Sequence, residues 1–245
     1  MTSTSNASHP FHAAPRAALR LVVLSCLVTC ASRVGADDGG ITNVGGAARL
    51  MRDQGRIRMV SEVVRARVSQ KDIDVDCVFV MQNDGPADTV LIGFPDRSSG
   101  ALTGAGPMRT FRSWVDGIEV KCDTLPDADR SGAFGIDEDW DYWWTKRVGF
   151  TAGATRIIRD HYTAAPGFSI DGSQSFEYIL ETGASWAGAI GSAEITVTLV
   201  DIPPKWIQPD ESPFRRHATP KPRVRGRELH WFFRDFEPGS QDGSP

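Results

Sequence analysis

Cysteine is scarce in this chain, with 4 in 245 residues at Cys26, Cys30, Cys77 and Cys122. None has a histidine pair at zinc-ligand spacing beside it, which excludes a zinc finger or ribbon. Long hydrophobic runs are also missing. The longest leading run, Leu21 to Val28, is about eight residues, against the ~20 that a membrane-spanning helix needs. No stretch of a dozen residues holds an i, i+3, i+4, i+7 apolar stripe, so a helical bundle is excluded. Strand-like segments do not alternate with helices, which excludes a doubly wound nucleotide-binding sheet. The formal charge is −4 with no dominant basic block, which argues against a dedicated nucleic-acid binder.

The chain does contain a sorting signal at its front. Residues 1–36 hold no acid, and Arg16 and Arg20 precede the apolar run. Val34-Gly35-Ala36 then supplies small residues ahead of Asp37-Asp38. A positive start, an apolar middle and a small-residue exit predict a secretory signal peptide over 1–36. A second version anchors the chain by lipid at Cys30, since Leu27-Val28-Thr29-Cys30 loosely resembles a lipobox. Removal of 1–36 takes away three Arg and no acid, moving the charge from −4 to −7. The expectation is an acidic exported protein, secreted or periplasmic, that keeps only Cys77 and Cys122 and has no transmembrane segment.

The rest reads as strands. Ile73, Val75, Cys77, Phe79 and Met81 share one face, and Asp72, Asp74 and Asp76 begin the other. Ile195, Val197 and Leu199 alternate with Glu194, Thr196 and Thr198, while Phe176, Tyr178 and Leu180 alternate with Glu177, Ile179 and Glu181. Period two places alternate side chains on opposite faces of a sheet. Asp116-Gly117 between two apolar runs predicts a tight hairpin. Asn83-Asp84-Gly85-Pro86 and Thr151-Ala152-Gly153-Ala154 mark further turns. Ala47-Ala48-Arg49-Leu50-Met51 is the one place where a short helix or turn is expected. The fold class is all-β: an antiparallel β-sandwich, one large or two adjacent immunoglobulin-like ones. The sandwich is expected over 37–202. Seven prolines between Pro203 and Pro238 predict a wrap belonging to the same domain, with a final strand near 228–236.

Several strings together resemble a family of exported bacterial proteins, the domain of unknown function 4424. They are Arg58-Met59-Val60-Ser61-Glu62, Gly93-Phe94-Pro95-Asp96, Trp114-Val115-Asp116-Gly117, Trp143-Trp144-Thr145-Lys146-Arg147-Val148 and the Thr182–Gly191 stretch, spread from about Gly40 to Asp201. The resemblance implies export and a β-rich fold, and it brings no catalytic residues with it.

Chemistry is best sought between 127 and 144. Asp127, Asp129 and Ser131 with Gly132, then Ala133 and Glu138, fit the twelve-position calcium-loop pattern, in which carboxylates, a hydroxyl and a carbonyl supply the oxygens. Pro126 before the loop and strand-like flanks leave a solvated acidic turn as the alternative. Asp139, Trp140, Asp141 and Trp143 combine carboxylates with flat rings, the chemistry of a glycan-binding surface. The same carboxylates could serve a hydrolase acting on glycans, which needs two of them about 5–10 Å apart. The alternative is that Trp143 and Trp144 simply open a strand.

Gly183-Ala184-Ser185-Trp186-Ala187-Gly188 is one residue too long for a nucleophile elbow, and only His161, His217 and His230 follow the leader, so a serine triad has no support in order or context. Cys77 and Cys122 share faces with apolar residues and are expected to form a disulfide worth about 4 kcal/mol, with two buried thiols as the alternative. Six basic residues between Arg215 and Arg227, with no acid among them, could dock on an acidic surface or form a solvated loop. The reading is thus an exported, non-catalytic binding or structural module for a glycan or protein, with calcium as an optional support and a glycan hydrolase as the alternative.

Overall fold

The computed structural model describes residues 43–46, 49–50, 56–98, 108–126, 142–168, 174–180, 185–207 and 221–237. They form the all-β sandwich that the alternation predicts. Among the described residues the larger sheet has eight strands in the order β15 (Arg223–Arg225), β16 (Glu228–Phe236), β14 (Ile190–Leu199), β3 (Ile57–Val68), β4 (Ile73–Asn83), β10 (Thr155–Ala164), β6 (Thr110–Val115) and β7 (Ile118–Val120). The smaller runs β13 (Glu177–Ile179), β1 (Asn43–Gly46), β5 (Asp88–Ser98), β9 (Tyr142–Phe150), β8 (Asp123–Pro126), with β2 (Arg49–Leu50) also on β5. Two short strands, β11 (Gly167–Phe168) and β12 (Gln174–Ser175), pair with each other. Pairing is antiparallel except for β14 on β3 and β1 on β13. At Arg49–Leu50, inside the segment expected as helix or turn, the chain is a strand on β5; pairing to a neighbour outweighs the weak local preference. No described helix is long and apolar enough to cross a membrane.

One hydrophobic core joins the two sheets. From the large sheet come Met59, Phe79, Met81, Ile158, Tyr162 and Ile190, and from the small sheet Val90, Ile92, Phe94, Val148 and Phe150. Phe94 carries the contact between layers, with its ring 5.3 Å from Phe111 and 5.5 Å from Tyr162. Trp144 then stacks on Phe111 at 5.3 Å. Aromatic side chains of this size supply much of the apolar burial that holds a sandwich together.

The turns follow their chemistry, with one difference. Asp116 and Gly117 adopt φ of 50° and 82°, the pair of positive values that a type I′ hairpin between β6 and β7 requires. The Thr151–Ala154 turn is not a hairpin. It carries the chain from β9 in the small sheet to β10 in the large one, as 84–87 carries it from β4 to β5. Buried Asn83 clamps both crossings. Its side-chain amide donates to the carbonyls of Pro86 (2.7 Å) and Thr151 (3.1 Å), and its carbonyl accepts from Gly85 N–H at 2.9 Å.

The disulfide expected between Cys77 and Cys122 is not formed; both are free thiols. Register explains why. Cys77 lies opposite Asp160, Asp160 opposite Ser113, and Ser113 opposite Val120, two residues before Cys122. Three strand spacings of ~4.8 Å put about 14 Å between Cys77 and the strand that ends just before Cys122, twice the ~7 Å Cα limit of a bridge. Sharing an apolar face is not the same as sharing a neighbourhood on it.

Candidate functional site

Period two also places charges at inward positions. Lys146 on β9 lies on the Trp144–Val148–Phe150 side, facing the large sheet. Its ammonium donates to both oxygens of Asp160 on β10 at 2.7 Å, and both side chains have 0% exposure. Ser113 Oγ donates to Asp160 Oδ1 at 2.6 Å, and the Phe111 ring lies 5.7 Å from Lys146 Nζ. The carboxylate therefore meets a cation and a hydroxyl in a place where an unpaired charge would cost several kcal/mol. Cys122 sits half-buried beside this pair. Burial, outweighing the Lys146 charge, pushes its thiol up to about 11, so it is not the thiolate that a nucleophile requires.

A second carboxyl is sealed elsewhere between the sheets. The ladder between β3 and β4 shifts by one residue at Met59–Ser61, and this bulge swings Glu62 inward. Tyr178 on β13 donates its hydroxyl to Glu62 Oε1 at 2.6 Å, while Oε2 has no hydrogen-bonding partner. Burial raises the Glu62 carboxyl to about 7, partly offset by the Tyr178 bond. Burial also raises the Cys77 thiol and the Tyr162 and Tyr178 phenols well above their ordinary values. Buried Asp96 accepts from Trp144 Nε1 at 2.9 Å and from Met108 N–H at 3.2 and 3.3 Å.

These interior groups carry acid–base capacity but no approach from solvent. Glu62, Asp96, Ser113 and Asp160 are each 0% exposed. They tie layer to layer: β9 to β10, β13 to β3. The cavity lined by Arg56, Ile57, Asn83, Pro86, Ala87 and Asp88, about 280 Å³, includes none of them.

The outer face of the large sheet is open and charged. Arg159 donates to Asp76 and Arg112 to Glu119 (2.7 and 2.9 Å), while Arg156, on the Ile158 side of β10, donates to Asp116 at 2.6 Å. Asp116 lies below the ordinary carboxylate range, first because it accepts from the Ile157 backbone N–H. The Arg112 and Arg159 guanidiniums lie 5.0 and 4.9 Å from the Trp114 ring, an arrangement that adds cation–π attraction. Near the other end of the same face, Arg65, Arg67, Arg223 and Arg225 are exposed.

Of the residues singled out from sequence, Asp127, Asp129, Ser131, Ala133 and Glu138 lie outside the described residues, as do Asp139, Trp140 and Asp141. Trp143 is described and is 2% exposed, so it offers no ring face for stacking on a sugar. His161 and His230 each bond a carboxylate at 3.1 Å, Asp74 and Glu194 respectively. Among the described residues no group of three or more His, Cys, Asp or Glu could hold a metal ion. Sequence reasoning missed Lys146, Asp160 and Asp96. The signal that could have found them is a charge at an inward position of an alternating strand: Asp160 falls between Ile158 and Tyr162, on the same face as both.

No family model matches the sequence, and no curated protein matches it. A solved structure of a candidate nutrient binding protein from Legionella pneumophila is similar to this chain at a TM-score of 0.62 and 20% identity, over 82% of this chain and 70% of that one. This likeness shows a shared fold. An M1 zinc metallopeptidase from Deinococcus radiodurans aligns at a TM-score of 0.35 and 11% identity, over 75% of this chain and 40% of that chain. Yeast LTA4 hydrolase aligns at 0.33 and 9%, over 63% and 24%.

Proposed function

We propose that the protein is an exported, non-catalytic binding module of the bacterial envelope or exterior, held as a rigid β-sandwich that presents its outer faces to a ligand. The observation that carries this reading is the division of charge between the space enclosed by the two sheets and the outer face of the large one. The groups with chemistry to offer, Lys146, Asp160 and Glu62, are sealed inside, whereas the exposed face is rich in hydrogen-bonding side chains. A catalyst needs its acid or base within reach of the substrate; a binding surface needs accessible area instead.

Three further points support the reading. The apolar leader over 1–36 has the parts of an export signal. Four of the five strings resembling the domain of unknown function 4424 fall on β3, β5, β6 and β9, and they supply Glu62, Phe94, Asp96 and Lys146 to the interior. The fold is shared with a candidate nutrient binding protein.

The test has two arms. Mature N-terminal sequencing of the native protein should begin at Asp37; a retained leader would contradict export, and a diacylglyceryl-Cys30 would replace free export by anchoring. Incubation with a panel of glycans and envelope proteins should give saturable binding without product, and release of glycan fragments would overturn the non-catalytic reading.

A further inference from the structure

Five arginines on or beside the large sheet have an acidic partner. Arg58 bonds Asp84 at 2.8 Å, Arg109 bonds Asp72, and Arg112, Arg156 and Arg159 are held as described. Arg65, Arg67, Arg223 and Arg225 differ: no acidic partner holds them among the described residues. Arg65 and Arg67 lie opposite Asp76 and Asp74, yet those two carboxylates bond Arg159 and His161.

Register places the four on one face in two rows. Arg65, Thr196, His230 and Arg223 lie side by side across β3, β14, β16 and β15, and Arg67, Thr198, Glu228 and Arg225 form the next row. Along a strand the rows are about 7 Å apart, and three strand spacings make each row about 14 Å wide. Four arginine positions thus mark the corners of a rectangle, with Thr196, Thr198, the His230–Glu194 pair and Glu228 between them.

We propose that this rectangle binds an anionic polysaccharide, with the arginines on its acidic groups and the floor on its hydroxyls. The inference rests on the binding-module reading and names its ligand class and surface. Guanidiniums are suited to sulfate, phosphate and carboxylate. The floor selects among polyanions. Thr196 and Thr198 donate and accept, and Glu228 and Glu194 accept from hydroxyls, so the floor favours a polyanion that carries sugar hydroxyls beside its acidic groups. Net charge of −4 opposes diffuse attraction to any polyanion, so binding must come from this local cluster.

Dextran sulfate is the probe, with neutral dextran and phosphatidylglycerol vesicles as comparisons, at low ionic strength. The full-length protein should bind dextran sulfate, weaken as salt rises, and ignore both comparisons. Joint Arg65→Ala, Arg67→Ala, Arg223→Ala and Arg225→Ala should weaken binding about tenfold or more. Removing the same number of charges elsewhere, at Arg56, Lys71, Lys121 and Arg147, should leave it within about twofold, with circular dichroism verifying both folds. No binding at low salt, equal loss in both variants, or vesicle binding in place of dextran sulfate binding would each overturn the proposal. Saturable binding of a neutral glycan or a protein, with dextran sulfate blank, would sink this inference alone and leave the binding-module reading standing.

Discussion

Lys146 and Glu62 both bring an ionisable group into the space between the sheets, yet their surroundings differ. The Lys146 ammonium meets both Asp160 oxygens, and Ser113 donates to the same carboxylate. Glu62 has one donor, Tyr178, and an oxygen with none. The first arrangement meets a carboxylate with an ammonium and a hydroxyl donor, so each oxygen of Asp160 has a partner. The second compensates only half a carboxyl, so the neutral form is favoured and the proton is held to about pH 7. A buried charge is tolerated when its neighbours complete its valences, and otherwise it is neutralised.

Breaking the complete arrangement should have the largest effect. Lys146→Ala leaves Asp160 buried and unpaired, and should cost about 3–5 kcal/mol in chemical denaturation. Adding Asp160→Leu to Lys146→Met should recover most of that loss, because two apolar side chains replace two compensated charges. A double variant no more stable than Lys146→Ala would mean that the pair is not the compensated unit described.

The incomplete arrangement predicts a pH effect with a definite sign. The folded Glu62 carboxyl lies at about 7 against 4.5 for the free group. The folded state therefore binds the proton more tightly, and its advantage is full below about pH 4.5 and is lost as pH rises through 7. Glu62→Gln should remove that component and raise stability at pH 8 relative to wild type by up to roughly 3 kcal/mol, while changing little at pH 4. Parallel melting curves against pH for the two proteins would reject Glu62 as the titrating group.

Asn83→Ala removes three hydrogen bonds at the two sheet crossings and should cost about 2–3 kcal/mol, read from the denaturation midpoint. Arg58→Ala, at a partly exposed ion pair with Asp84, should cost under about 1 kcal/mol. A loss at Arg58 matching that at Asn83 would erase the distinction between interior and surface that the comparison draws.

Much of the architecture was legible because one face of each strand is buried. Ile73 to Met81 and Ile195 to Leu199 alternate cleanly, and Asp116-Gly117 has the backbone freedom its hairpin needs. Sheet membership was not legible. The Thr151–Ala154 turn reads locally like any hairpin, and only packing of β9 on β5 and of β10 on β4 separates the two strands it joins. The same blindness to lateral order produced the expected Cys77–Cys122 bridge. Lys146 and Asp160 were hidden for a different reason: they lie on different strands and sheets, and neither shows its partner in the local sequence. Trp143 illustrates the limit for sites. An aromatic beside acids reads as a sugar platform, but β9 places that ring in a buried position.

Lys146 is sealed between the sheets while the other lysines face solvent, and the division between interior and surface stands or falls with that contrast. Reductive methylation of the native protein, read by mass spectrometry, tests it directly, because Lys71, Lys121, Lys205 and Lys221 are all exposed and serve as internal standards. These four should be methylated and Lys146 should stay unmodified until denaturant is added. Methylation of Lys146 in the folded protein at the rate of the other four would contradict the account.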